Sequence, residues 1–144
     1  MTDNNCLFCR IVAGELGATV VYEDEFSVAF LDHRPLFPGH TLLVPREHVE
    51  TLGELPATTV EPYFKAAQLL SRAIQSALEA EGTFVAMNNR VSQSVPHLHV
   101  HVVPRRRKDG LKGFFWPRTK YKGEDEMKHA QSKIAAALKK LRQN

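Results

Sequence analysis

Cysteine is scarce in this chain: Cys6 and Cys9 are the two thiols among 144 residues. That excludes a disulfide framework of the kind that staples small secreted domains. Long apolar runs are absent too. None approaches the ~18 residues that read as a membrane-spanning helix, so no membrane partner is expected. The opening residues, Met1 to Leu16, lack the basic start and apolar stretch of a secretory signal. These absences together point to a reducing, cytoplasmic setting. There, Cys6-Leu7-Phe8-Cys9 reads as a metal clip, a redox pair or two buried thiols on a short helix. A thioredoxin-like pair follows a strand, whereas only five residues precede this one. Zinc's liking for closely spaced thiolates favours the clip. Internal repeats and linkers are also missing, so residues 1–144 are expected to form a single domain.

What is present is ordinary in bulk. Apolar residues make up 43% and charged residues 24%, proportions typical of a globular domain with one buried core. The formal net charge of +3 suits an anionic ligand. Cys6 to Gly14 reads as a short helix stopped by glycine. Thr19 to Asp24 and Phe26 to Asp32 read as strands, with the acidic Glu23-Asp24-Glu25 as the turn between them. A Pro/Gly loop from His33 leads into a strand over His40 to His48. Pro56 opens the clearest helix. Along it Val60, Tyr63, Phe64, Ala67, Leu70, Ile74, Ala77 and Leu78 repeat at helical spacing, and Gly82 marks its expected end. Thr83 to Asn89 and Pro96 to Pro104 form two more strands, joined by a short polar loop. A terminal helix carries Met127, Ile134, Ala137, Leu138 and Leu141 on one side. Sequential strands with hairpin-like connections, one long helix and one terminal helix predict an α+β fold on a mainly antiparallel sheet.

The most informative stretch is Ser94 to Arg107, where His97, His99 and His101 stand at every second position. Side chains alternate along a strand, so Leu98, Val100 and Val102 face one way and the three histidines with Val103 face the other. Three imidazoles on one face could hold a metal, work on an anion or pack. Packing alone is disfavoured, because buried polar rings each need partners. One metal for all three is disfavoured by reach: His97 and His101 are roughly 13 Å apart along a straight strand. Zinc–nitrogen bonds are only ~2.0–2.1 Å. A phosphoryl group is wider and accepts donors from several sides. Imidazole can donate, accept or attack near neutral pH, so a row of them suits phosphate chemistry, one as nucleophile and its neighbours as donors.

His-Leu-His-Val-His-Val-Val resembles the signature of the histidine triad (HIT) superfamily, His-φ-His-φ-His-φ-φ. The resemblance extends to Cys6 to Glu15, Val20 to Asp32 and Pro38 to Val49, in the family's order and spacing, over most of residues 6–107. It implies a HIT-like fold with a five-stranded antiparallel sheet and a long helix, residues 108–144 forming an extension with the C-terminal helix. It also implies a homodimer through a shared sheet. The implied activity is hydrolysis or transfer at the α-phosphorus of a nucleoside 5′-phosphate derivative, a purine nucleotide or relative. His99 would attack and form a nucleotidyl-histidine. His101 would contact phosphate and help the leaving group, while His97 and His40 would support the nucleophile. Asp32 would bind ribose, Phe30 and Leu31 would line a base slot, and Asn88 would contact phosphate or ribose. Ser92, Gln93 and Ser94 would cradle phosphate, with Ser94 a donor to the leaving atom. No metal is implied for catalysis. Some members hold structural zinc through residues that correspond here to Cys6, Cys9, His48 and His97.

Two features depart from the pattern or lie outside it. Asn88 to Ser94 is about two residues shorter than the usual family loop, with Ser92 where glycine is usual. Downstream, Arg105 to Lys108 is a basic run, and Trp116 sits in an aromatic cluster that would cover the core or reach a partner's site. Three functions remain in play at this point: a nucleoside phosphoramidate hydrolase, a dinucleoside polyphosphate hydrolase, and a nucleotide-binding regulatory module with little turnover. Nucleic acid is not an expected partner, since no DNA-binding finger is appended.

Overall fold

The computed structural model describes residues 3–111 and 118–143; the Trp116 expectation lies outside them. The chain divides into two compact units, 1–109 and 110–144. In the first, helix α1 (Leu7–Val12) precedes strands β1 (Val20–Glu23), β2 (Ser27–Leu31) and β3 (Thr41–Pro45). Helix α2 (Ala57–Ala77), β4 (Gly82–Ala86) and β5 (Val100–Arg105) follow. The second contains α3 (Glu124–Arg142), an amphipathic helix with acidic residues in its first turn and basic ones in its last, as its macrodipole favours.

The sheet is antiparallel throughout, in the order β1-β2-β3-β5-β4. Its two faces carry different cores. On one, Ala29, Leu43, Leu98, Val100 and Val102 pack against Tyr63, Ala66, Ala67, Leu70 and Ile74 of α2. The fully buried Tyr63 satisfies its hydroxyl by donating to the Leu43 carbonyl at 2.8 Å. On the other face, Val28, Phe30, Leu42 and Val44 meet Cys6, Phe8 and Cys9 of the α1 segment. His101 pairs with Leu42 across β3 and β5, which puts it on the α1 face.

Several boundaries differ from the sequence pattern. Helix α2 ends at Ala77, not near Gly82. The Ala80 N–H returns to the Gln75 carbonyl while Glu79 takes φ of 51°, so a Schellman-type turn closes the helix without glycine. Gly82 instead begins β4. Val60, Phe64 and Leu78 are exposed, because the buried stripe runs through Thr59, Tyr63, Ala66, Leu70 and Ile74. Strand β5 starts only at Val100, so His97 and His99 belong to the segment leading into it.

Candidate active site and metal centre

Each triad histidine has one nitrogen committed to a different partner, which fixes its proton. The His97 Nε2 lies 2.8 Å from the Pro45 carbonyl. A carbonyl only accepts, so Nε2 carries the hydrogen and Nδ1 is left with its lone pair. His99 Nδ1 lies 2.8 Å from the His97 carbonyl, so it donates there and leaves Nε2 free to attack. His40 Nδ1 accepts the Leu36 N–H at 3.1 Å. Its Nε2–H therefore donates to His101 Nδ1, 2.9 Å away, and the His101 proton sits on Nε2. The row thus presents a bare nitrogen on His99 beside an N–H on His101, their rings 4.9 Å apart.

Burial keeps the supporting imidazoles neutral. It pushes His101 down to about 4, with repulsion from His99 and His40 adding and Asp32 opposing. It lowers His40 also, against the pull of Asp32. The Asp32 Oδ2 stands 3.8 Å from His40 Nδ1, near enough to favour a positive charge passing through the His40–His101 pair. His40 is placed by Gly39, whose φ of 98° and lack of a side chain are both required, because a Cβ there would run into Leu78. Asp32, His40 and His101 also gather potential ligand atoms within 4.8 Å. Their nitrogens already face one another at hydrogen-bond distance, which suits a shared proton rather than an ion with bonds of ~2.0 Å to each.

At the other end of the row, Cys6, Cys9, His48 and His97 bring one ligand atom each within 4.8 Å of the others. The His97 Nδ1 lies 3.4 Å from Cys6 Sγ and 3.5 Å from Cys9 Sγ, and His48 Nδ1 lies 3.2 Å from Cys9 Sγ. Zinc bonds of ~2.3 Å to sulfur and ~2.0 Å to nitrogen give a tetrahedral S···N edge of about 3.5 Å, so the set fits a closed structural zinc site. Both thiols are free and buried, and burial raises Cys9, as it does for a thiol without a cation beside it. The bare His97 Nδ1 is the nitrogen such a site needs. Burial also pushes His97 down to about 4, which keeps that lone pair available.

Between these ends opens a cavity of about 560 Å³. Phe30, Leu31 and Asp32 form one wall and Ser94, His99 and His101 another. Leu7, Phe8 and Ile11 of α1 form a third wall, which was not among the expected site residues. The signal for it was the apolar pair enclosed by the cysteines: Phe8 stands edge-on to His99 at 5.2 Å and to Phe30 at 5.4 Å. Asn88, Ser92 and Gln93 do not line the cavity. Asn88 Nδ2 donates to the Ser92 carbonyl, and the Gln93 amide donates to the Glu50 carbonyl at 2.7 Å. In the basic run, Arg105 pairs with Asp109, Arg107 pairs with Glu81 and Arg106 donates to the Leu78 carbonyl, capping α2.

The HIT domain profile matches residues 13–108. The "Protein hit" of Bacillus subtilis is 38% identical over 138 residues, 93% of this chain and 94% of that protein. The adenylylsulfatase HINT3 of Arabidopsis thaliana is 36% identical over 110 residues, 75% of this chain and 56% of that one. Among solved structures, a zinc-bound histidine triad family protein from Mycobacterium smegmatis matches with a TM-score of 0.71 at 35% identity. That match covers 92% of this chain and 97% of the other.

Proposed function

The chain belongs to the HIT domain family, and from that premise we propose that it hydrolyses nucleoside 5′-phosphate derivatives at the α-phosphorus, phosphoramidates foremost. The observation that carries the reading is the proton pattern of the row: a free His99 Nε2 next to a His101 Nε2–H in one cavity. In the first step His99 Nε2 forms a bond to phosphorus as the bond to the leaving group breaks. The leaving nitrogen takes its proton from the Ser94 hydroxyl or from His101. The Nδ1–H stays on the His97 carbonyl and stabilises the resulting imidazolium. In the second step water attacks phosphorus and the N–P bond breaks. The nucleoside monophosphate leaves, and the water proton returns to whichever of Ser94 and His101 gave one up in the first step, so the row ends as it began.

The base lies against Phe8, Phe30 and Leu31, and the ribose hydroxyls meet Asp32. Cys6, Cys9, His48 and His97 would hold a structural zinc that fixes the His97 ring, a reading that the zinc-bound relative supports as far as the metal itself. The relative named an adenylylsulfatase supports release of an adenylyl group from more than one kind of leaving group. A polyphosphate substrate is less favoured, since Arg105, Arg106 and Arg107 already have protein partners. The protein is proposed to act as a homodimer through β4, the strand at one edge of the sheet. A substrate panel tests the activity: an adenosine phosphoramidate should turn over faster than diadenosine polyphosphates. Tight nucleotide binding without turnover of either would point to a regulatory module.

A further inference from the structure

The segment between β4 and β5 is held in a shape its own sequence disfavours. Arg90 and Ser92 have φ of 71° and 60°, a left-handed conformation that costs free energy for any residue with a Cβ. Three local bonds hold it there: the Arg90 N–H donates to the Gln93 Oε1 at 2.8 Å, the Asn88 side chain donates to the Ser92 carbonyl at 3.1 Å and the Val91 N–H donates to the Asn89 carbonyl at 2.9 Å. The ties from residues 89–93 to the rest of the chain run to one place, the stretch just after His48. The Gln93 Nε2 donates to the Glu50 carbonyl at 2.7 Å and the Leu52 N–H donates to Asn89 Oδ1 at 2.7 Å. The Arg90 guanidinium spans Glu54 at 3.1 Å and Glu50 at 3.5 Å. The Glu50 N–H donates to the other Glu54 oxygen at 3.0 Å, which sets the two acids side by side. Past the loop, the Leu98 N–H reaches the Val49 carbonyl at 2.7 Å.

We propose that Arg90 and Gln93 are positioning residues: they latch this loop to Glu50 and Glu54, so that Ser94 stands at the leaving-group end of the cavity. Gln93 uses both ends of its amide outside the cavity, and the next residue, Ser94, lines it. A single exposed ion pair would contribute little. Here one guanidinium bridges two carboxylates, and backbone bonds converge on the same strand of chain. The consequence is selective. A leaving amine needs a proton as the P–N bond breaks and so depends on where Ser94 is held. A leaving group that departs as a stable anion does not. The latch therefore sets which leaving groups the site releases, while the nucleoside monophosphate half binds independently of it. This inference rests on the proposed function for its kinetic half.

The test compares wild type, Arg90→Glu, and the reversed pair Arg90→Glu with Glu54→Arg, in which the arginine again stands between two acids. Three readouts are taken: turnover of an adenosine phosphoramidate with an amine leaving group, turnover of an adenylyl ester with a nitrophenolate leaving group, and the Kd for adenosine monophosphate. Backbone hydrogen exchange over residues 88–98 is followed in the same proteins. Arg90→Glu should lower kcat on the phosphoramidate about tenfold, a part of the ~10²–10⁴-fold that a positioned proton donor supplies. It should leave the nitrophenolate rate and the monophosphate Kd nearly unchanged and speed exchange in the loop. The reversed pair should restore both kcat and protection. Equal losses on both substrates, no loss on either, or restored protection without restored selectivity would overturn the proposal. If the wild type turns over neither substrate, the proposed function fails instead. Exchange then decides the latch separately, and an unchanged pattern in Arg90→Glu overturns it.

Discussion

His99 differs from its neighbours by a single hydrogen bond. The carbonyl of His97 takes its Nδ1 proton, and nothing in the chain could place that proton on Nε2 without losing the bond. The same rule gives His97 a bare Nδ1 for the zinc ligands and His101 an Nε2–H for the cavity, so three identical side chains acquire three roles from three backbone or imidazole partners. A pH dependence follows from the two buried supporters. His40 and His101 titrate below the ordinary histidine value of 6.5, His101 near 4. Between about pH 6.5 and 4 the unfolded chain therefore binds protons that the folded chain refuses. Stability should be full above 6.5 and fall as pH drops through that window, by at most about 1.4 kcal/mol per pH unit from His101 and less once solvent screening is counted, with His40 acting in the same direction. Urea denaturation at a series of pH values checks this. His40→Asn should flatten the slope, and an unchanged slope would show that the pair does not set it.

Helix α1 illustrates how a short element is held by more than its own bonds. Six residues are too few for a stable isolated helix. It stays in place because Cys6 and Cys9 join the zinc set while Phe8 packs among His97, His99 and Phe30. Removing zinc with a chelator, or the ligand with Cys9→Ser, should lower Tm by about 10 °C, the effect of a few kcal/mol in a domain of this size. Exchange over residues 6–12 should quicken, and zinc content should fall. An unchanged Tm in the metal-free protein would contradict the assignment. Much of this is legible in the sequence. The period-two pattern gives both faces of β5, and the cysteine spacing gives the clip. What spacing could not show is tertiary. Glu79 closes α2 because its N–H bond to the Ser76 carbonyl and the Ala80 N–H bond to the Gln75 carbonyl outweigh the strain of a non-glycine residue there. The wall made by Leu7, Phe8 and Ile11 depends on where α1 docks, and the turning of Gln93 toward Glu50 depends on a segment more than forty residues away. Pattern in a single strand carries neither.

For the molecule as a whole, the sheet leaves β4 at an edge, with Val85 46% exposed upon it. An edge strand bearing an exposed β-branched residue is a template for pairing with a second chain. Sedimentation of the wild type should give twice the chain mass of 16.2 kDa. Val85→Lys should shift it toward a single chain, since a charge facing its own copy is repelled. A wild type that sediments as a monomer would exclude the shared sheet. Among the described residues, no helix is long and apolar enough to cross a membrane.

The central claim is that His99 Nε2 becomes covalently bonded to phosphorus. Rapid acid-free quenching during turnover of an adenosine phosphoramidate, followed by mass spectrometry, reads that bond directly. We expect the wild type to accumulate one adenylyl group per chain, on the peptide containing His99. His99→Ala should show no adduct and a turnover lower by about 10⁴-fold or more, the loss found when an enzyme's nucleophile is removed. Near-normal hydrolysis by His99→Ala, or an adduct on another residue, would contradict it.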